Sequence, residues 1–83
     1  MKRRFEYVSG SSAKYWTVQV TGCDVTVRFG RIGTPGQTQT KTLPVPIAAE
    51  RHAEKLIGQK LAKGYTDQQV ELIGEYFSQQ KAK

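Results

Sequence analysis

The chain has 83 residues, 37% apolar and 24% charged, with a net charge of +6 and a pI near 9.7. That length supports one domain with one core. The single cysteine, Cys23, and the single histidine, His52, exclude an intramolecular disulfide and any Cys/His zinc site.

The start, MKRRFEYVSG, is basic but has no apolar run behind it, so a signal peptide is not expected there. Nothing approaches the roughly 20 apolar residues of a membrane span. With one unpaired thiol, this leads to the expectation of a cytoplasmic protein with no membrane partner, metal or cofactor. RRFEYV (residues 3–8) then alternates as a strand does, and SGSS breaks it. KYWTVQV (residues 14–20) sets Trp16, Val18 and Val20 on one face and Tyr15, Thr17 and Gln19 on the other. After the Thr21-Gly22 turn, CDVTVRF (residues 23–29) alternates again, with Cys23, Val25, Val27 and Phe29 opposite Asp24, Thr26 and Arg28. Past a glycine-rich loop, QTQTKTL (residues 37–43) reads as a fourth strand, polar on both faces and so suited to an edge. Four strands with short breaks predict an antiparallel meander.

The period then changes. Pro44 and Pro46 end the strand and suit a helix start. Ala49, Ala53, Leu56, Ile57 and Leu61 follow as one apolar stripe, and Gly64 stops the helix. Thr66 with Gln69 has the spacing of a capping box for a second helix, whose inner stripe would be Val70, Ile73 and Phe77. The expected fold class is α+β: a four-stranded antiparallel meander, one long helix packed on it, and an additional C-terminal helix. The expected division is residues 1–65 as the domain and 66–83 as a helical extension.

Charge is unevenly placed. Residues 1–45 hold seven bases against two acids, a net +5, whereas residues 46–83 hold six against five. A basic half of this kind suits a polyanionic partner, nucleic acid foremost. Its most unusual stretch is VRFGRIGTPGQTQTK (residues 27–41), with Gly30, Gly33 and Gly36 interleaved with Arg28 and Arg31 ahead of a Gln/Thr row. Glycines permit positive φ and close backbone approach, so the loop's N–H groups have access to a phosphate. Arg28 and Arg31 supply guanidinium forks suited to phosphate oxygens, and Gln39 and Lys41 add a polar row. The same loop also reads as a hairpin that is glycine-rich because tight turns require it.

The ordered set KYWTVQV, RFGRIGTPGQTQTK and a helix ending in KGY resembles the WGR domain, named for a Trp-Gly-Arg motif between its third and fourth strands. That domain occurs in poly(ADP-ribose) polymerases, in bacterial regulators and as free-standing small bacterial proteins; this chain is similar to the last type. The resemblance implies DNA binding, best known at strand breaks. There the motif's Trp packs on a sugar near the broken end, and its Arg contacts DNA. By motif position these roles fall to Phe29 and Arg31, with Gly30 between them and Gly33 after. Phe29 stands where the family name has Trp, keeping a flat apolar face but losing area and the indole donor.

The nucleic-acid-binding residues expected from both readings are Lys14, Arg28, Phe29, Gly30, Arg31, Gly33, Gln39 and Lys41. Phe29 shares strand parity with Val25 and Val27, which favours the core; a bend at Gly30, and the resemblance, favour an outward ring. Trp16 is expected in the core, and His52 on the helix surface. No nucleophile, base and acid are drawn together by the sequence, so an enzyme is not expected. The partner is expected to be DNA, as duplex or strand ends. RNA shares the charge argument, and a protein partner docking on the sheet edge or C-terminal helix is the rival reading.

Overall fold

A computed structural model describes residues 1–68. Four strands, β1 (Lys2–Ser9), β2 (Ser12–Thr21), β3 (Asp24–Arg31) and β4 (Gln37–Thr42), follow one another as an antiparallel meander. The first two connections are two-residue loops closed by the pairs Ser9↔Ser12 and Thr21↔Asp24. Each opens on a glycine of positive φ, Gly10 at 57° and Gly22 at 59°, the position a type II′ turn reserves for glycine. β4 is an edge strand with all six residues exposed, as its polar faces require.

The helix α1 (Pro46–Ala62) crosses one face of this sheet. Val45 is the extended N-cap and Pro46 opens the helix, where its missing N–H leaves no bond unmade. Ala49 and Ala53 are fully buried, and their small side chains let the helix axis approach β2 and β3. Beneath them Phe5, Trp16, Val18 and Val25 fill the core, with Phe5 and Trp16 as a cross-strand pair 5.6 Å apart. Ile57 completes the buried stripe, but Leu61 is 48% exposed, against expectation. Each step of four residues turns a helix by about 40° beyond a full circle. By the fourth member of the series 49, 53, 57, 61, the side chain has rotated off the sheet.

The end of α1 is a Schellman turn: the Tyr65 N–H donates to the Lys60 carbonyl (3.1 Å) and the Gly64 N–H to the Leu61 carbonyl (3.0 Å). Gly64 adopts φ 99°, as its expected role demands. The turn directs the chain into β5 (Thr66–Asp67), which pairs antiparallel with β1 and gives the sheet order β4-β3-β2-β1-β5. This corrects two expectations. Among the described residues the sheet has five strands, not four, and Thr66 is a strand residue rather than a helix cap. Backbone pairing with Glu6 and Phe5, together with an ion pair from Asp67 to Arg3, outweighs the local capping preference. The expected second helix, with Val70, Ile73 and Phe77, lies outside the described residues. No helix among the described residues is long and apolar enough to cross a membrane.

Candidate nucleic-acid interface

Register decides which expected site residues can act together. β3 pairs regularly with β2 through Phe29↔Trp16, Gly30↔Tyr15 and Arg31↔Lys14, without a bulge. Phe29 therefore keeps the parity of Val25 and Val27 and points to the helix side, where it is half-buried against the core. It does not swing outward, contrary to what the resemblance favours. Arg31, Lys14, Gln39 and Lys41 share that helix side, whereas Arg28 and Gly30 lie on the opposite, open face. The eight expected residues thus fall into two groups, one on each side of the sheet.

The glycine-rich loop belongs to the open face and is held by its own chain. The Tyr15 hydroxyl donates to the Thr34 carbonyl at 2.9 Å, and Arg28 Nε donates to the Pro35 carbonyl at 2.6 Å. Gly36 (φ 66°) lies so close that a Cβ there would sit 2.3 Å from the Phe29 carbonyl oxygen and 2.5 Å from the Tyr15 hydroxyl. A Cβ on Gly30 would meet the Gly36 Cα at 2.8 Å. These two glycines let the loop fold back over Tyr15, which is left only 4% exposed although α1 lies on the other face of the sheet. Gly33 (φ 92°) is different: open space surrounds it, and only its backbone conformation calls for glycine.

On the helix side, α1 leaves part of β3 and β4 uncovered. A groove of about 370 Å³ results, with Trp16, Val27, Phe29 and Leu56 as its apolar walls. Gln39, Lys41, His52, Gln59 and Lys60 supply its polar lining. Lys60 occupies the position at the centre of the helix stripe where a further apolar residue belongs. Its ammonium lies 5.6 Å from the Trp16 ring centroid and 5.4 Å from that of Tyr65. Burial pulls the Lys60 ammonium below the ordinary lysine pKa, and repulsion from Lys63 and Lys14 lowers it further.

Lys14, Arg31, Lys60 and Lys63 therefore gather at one end of the sheet, beside Phe29. The ion pairs formed within the described residues, Arg3–Asp67 and Arg4–Glu6, involve none of the four. The C-terminus of α1 adds partial negative charge that makes lysines favourable there. Lys60, Lys63 and His52 were not among the expected site residues. The signal for Lys60 was its i+4 spacing from Leu56 inside an otherwise apolar stripe.

The pattern of the WGR family matches residues 1–71. This chain belongs to the WGR domain family. A protein of Bacteroides fragilis of known crystal structure superposes with a TM-score of 0.78 at 45% identity, over 81% of this chain and 19% of that one. Two Escherichia coli K12 proteins are each 36% identical to it: the uncharacterized protein YfeS, over 81% of this chain and 28% of its own length, and the protein YehF, over 80% and 24%. The chain thus spans about a quarter of the curated relatives it matches.

Proposed function

We propose that this WGR domain is a non-catalytic nucleic-acid-binding module that holds DNA, preferably at a strand end, on the helix side of its sheet. The supporting observation is the cluster of Lys14, Arg31, Lys60 and Lys63 next to a half-buried aromatic ring. Phosphates would meet the four cations, while the groove beside Phe29 would take the terminal sugar or base of an open end. Gln39 and Lys41 on β4 would extend the contact along one strand. Phosphate contacts carry no base information, so the binding should be largely blind to sequence.

The test is a titration of a blunt, 5′-phosphorylated duplex against a duplex closed by hairpin caps. Tighter binding to the open duplex supports end recognition through Phe29 and Arg31. Equal binding leaves a module that grips phosphates anywhere along the helix. Absence of binding even at low salt removes the nucleic-acid reading. It then promotes a protein partner that adds a strand to β4, whose six residues are all exposed at the sheet edge.

A further inference from the structure

The face of the sheet that α1 does not cover carries a second concentration of positive charge. Cross-strand rows on this face run Lys2–Gln19–Thr26–Thr40 and Arg4–Thr17–Arg28–Thr38. With the returning loop at one end, they floor a hollow of about 650 Å³ lined by Lys2, Arg4 and Arg28 and, from the sheet edge, by Arg3, which is paired with Asp67; among the described residues no carboxylate lines it. Two acids flank these rows on the same face, one row away on either side: Glu6 beside the Arg4 row, and Asp24 beside the Lys2 row, where it accepts a hydrogen bond from Thr42.

The two central arginines are fixed in the same manner. Arg4 Nε donates to Glu6 Oε2 at 3.0 Å, and its guanidinium lies 4.7 Å from the Tyr15 ring centroid. Arg28 Nε donates to the Pro35 carbonyl. Each guanidinium is therefore anchored through its inner nitrogen, and its outer Nη groups have no hydrogen-bond partner among the described residues. Lys2 is exposed and likewise has none. Anchoring lowers the entropy lost when a ligand is gripped, so these are prepared donors rather than loose surface arginines.

We propose that this open face is a second anion-binding surface, for the phosphodiester backbone of a nucleic-acid strand. Arg4 and Arg28 are two strands apart, about 10 Å at the backbone, and their anchors keep them from converging on a single small anion. Spaced charges suit a spaced polyanion. Among the described residues the one aromatic ring on this face in these rows or next to them, Tyr15, is buried beneath Arg4 and the loop, so these rows offer no platform for stacking bases. What they offer instead is threonine hydroxyls and the Gln19 amide between the guanidinium forks, which match phosphate and sugar oxygens. Because the sheet separates this face from Lys14, Arg31 and Lys60, one molecule can hold two nucleic-acid segments. That bridging consequence, though not the open-face site itself, rests on the helix-side reading above.

The experiment mixes two duplexes, one carrying a donor dye and one an acceptor, with the full chain and reads both binding and energy transfer. The parent should bind and produce transfer. Lys2→Glu alters an exposed side chain with no partner among the described residues and so leaves the fold intact; it should cut transfer by about tenfold while binding of a single duplex persists. Lys2→Gln with Arg4→Gln should do the same. Lys14→Ala with Arg31→Ala should also abolish transfer, but should leave binding that is lost only when the open-face changes are added. If all binding follows Lys2 and Arg4 alone, the open face stands and the helix-side site fails. If transfer and affinity are unchanged by Lys2→Glu, or the parent binds no duplex at low salt, the open-face proposal is overturned.

Discussion

A Cβ is the difference between a loop that can fold back on β3 and one that cannot. Gly36 combines a left-handed φ of 66° with contacts that a side chain would bring to 2.3 Å and 2.5 Å. Left-handed backbone alone costs a residue other than glycine about 1–2 kcal/mol, and the collision with the Phe29 carbonyl adds to it because backbone cannot easily yield. Gly36→Ala should therefore lower stability by more than ~2 kcal/mol, a fall in Tm on the order of 10 °C for a domain this small. Gly33→Ala has the same backbone penalty but open space around it, so it should cost only about 1 kcal/mol. Thermal denaturation of the two variants separates them; equal Tm values would mean that the loop does not lie against Tyr15. The comparison also bears on the sequence GRIGTPG. Two of its three glycines serve packing of the loop on its own chain, and none has to be reserved for a ligand.

At the scale of elements, α1 and its terminal turn were readable because each carries a local signal: Pro46 at the start, alanines at helical spacing, Gly64 at the stop. The meander was readable from alternation and turn glycines. β5 was not, because two residues hold too little pattern to announce a strand, and Thr66–Asp67 pairs only once the Schellman turn has delivered it to β1. Lys60 was passed over for a related reason: a lysine within an apolar stripe looks like a solvated residue until the helix is laid on Trp16. Its placement has a measurable consequence. The folded state holds its pKa below the ordinary value, by burial first and then by Lys63 and Lys14. Between the folded and unfolded pKa values the unfolded chain binds more protons, so stability contributed at this site rises with pH through that window. Below that window the ammonium is charged in both states and the fold bears the cost. Lys60→Met keeps a flexible apolar stem over the two rings and removes the charge. Urea midpoints followed as pH is raised to the ordinary lysine pKa should therefore rise for the parent relative to Lys60→Met. A constant difference between the two would show that Lys60 titrates as it does in the unfolded chain.

For the whole molecule, the uneven charge noted in the sequence becomes a two-sided arrangement that no one-dimensional count could give. Period-2 alternation assigns parity, so the separation of Arg28 from Phe29 and Arg31 was legible, as was the covered face from the apolar parity of Trp16, Val18 and Val25; where the loop folds, and which lysines α1 brings beside Phe29, was not. The helix-side cluster also joins Lys14 and Arg31, paired across β2 and β3, to Lys60 and Lys63 from the end of α1. Binding that depends on such a cluster has a definite dependence on salt. Each phosphate neutralised on duplex DNA contributes a slope of about −0.9 in log affinity against log salt, so four contacts give about −3.6. Arg31→Ala should weaken binding and flatten that slope by about 0.9. Phe29→Leu should behave differently: losing a flat ring beside the groove should lower affinity for an open end yet leave the slope unchanged, since no counterion is released by an apolar contact. Measuring both variants across a salt series assigns charge and stacking to separate residues. A slope unaltered by Arg31→Ala would move the phosphate contacts away from the helix side, and a slope altered by Phe29→Leu would mean that the ring positions the cations rather than touching the DNA.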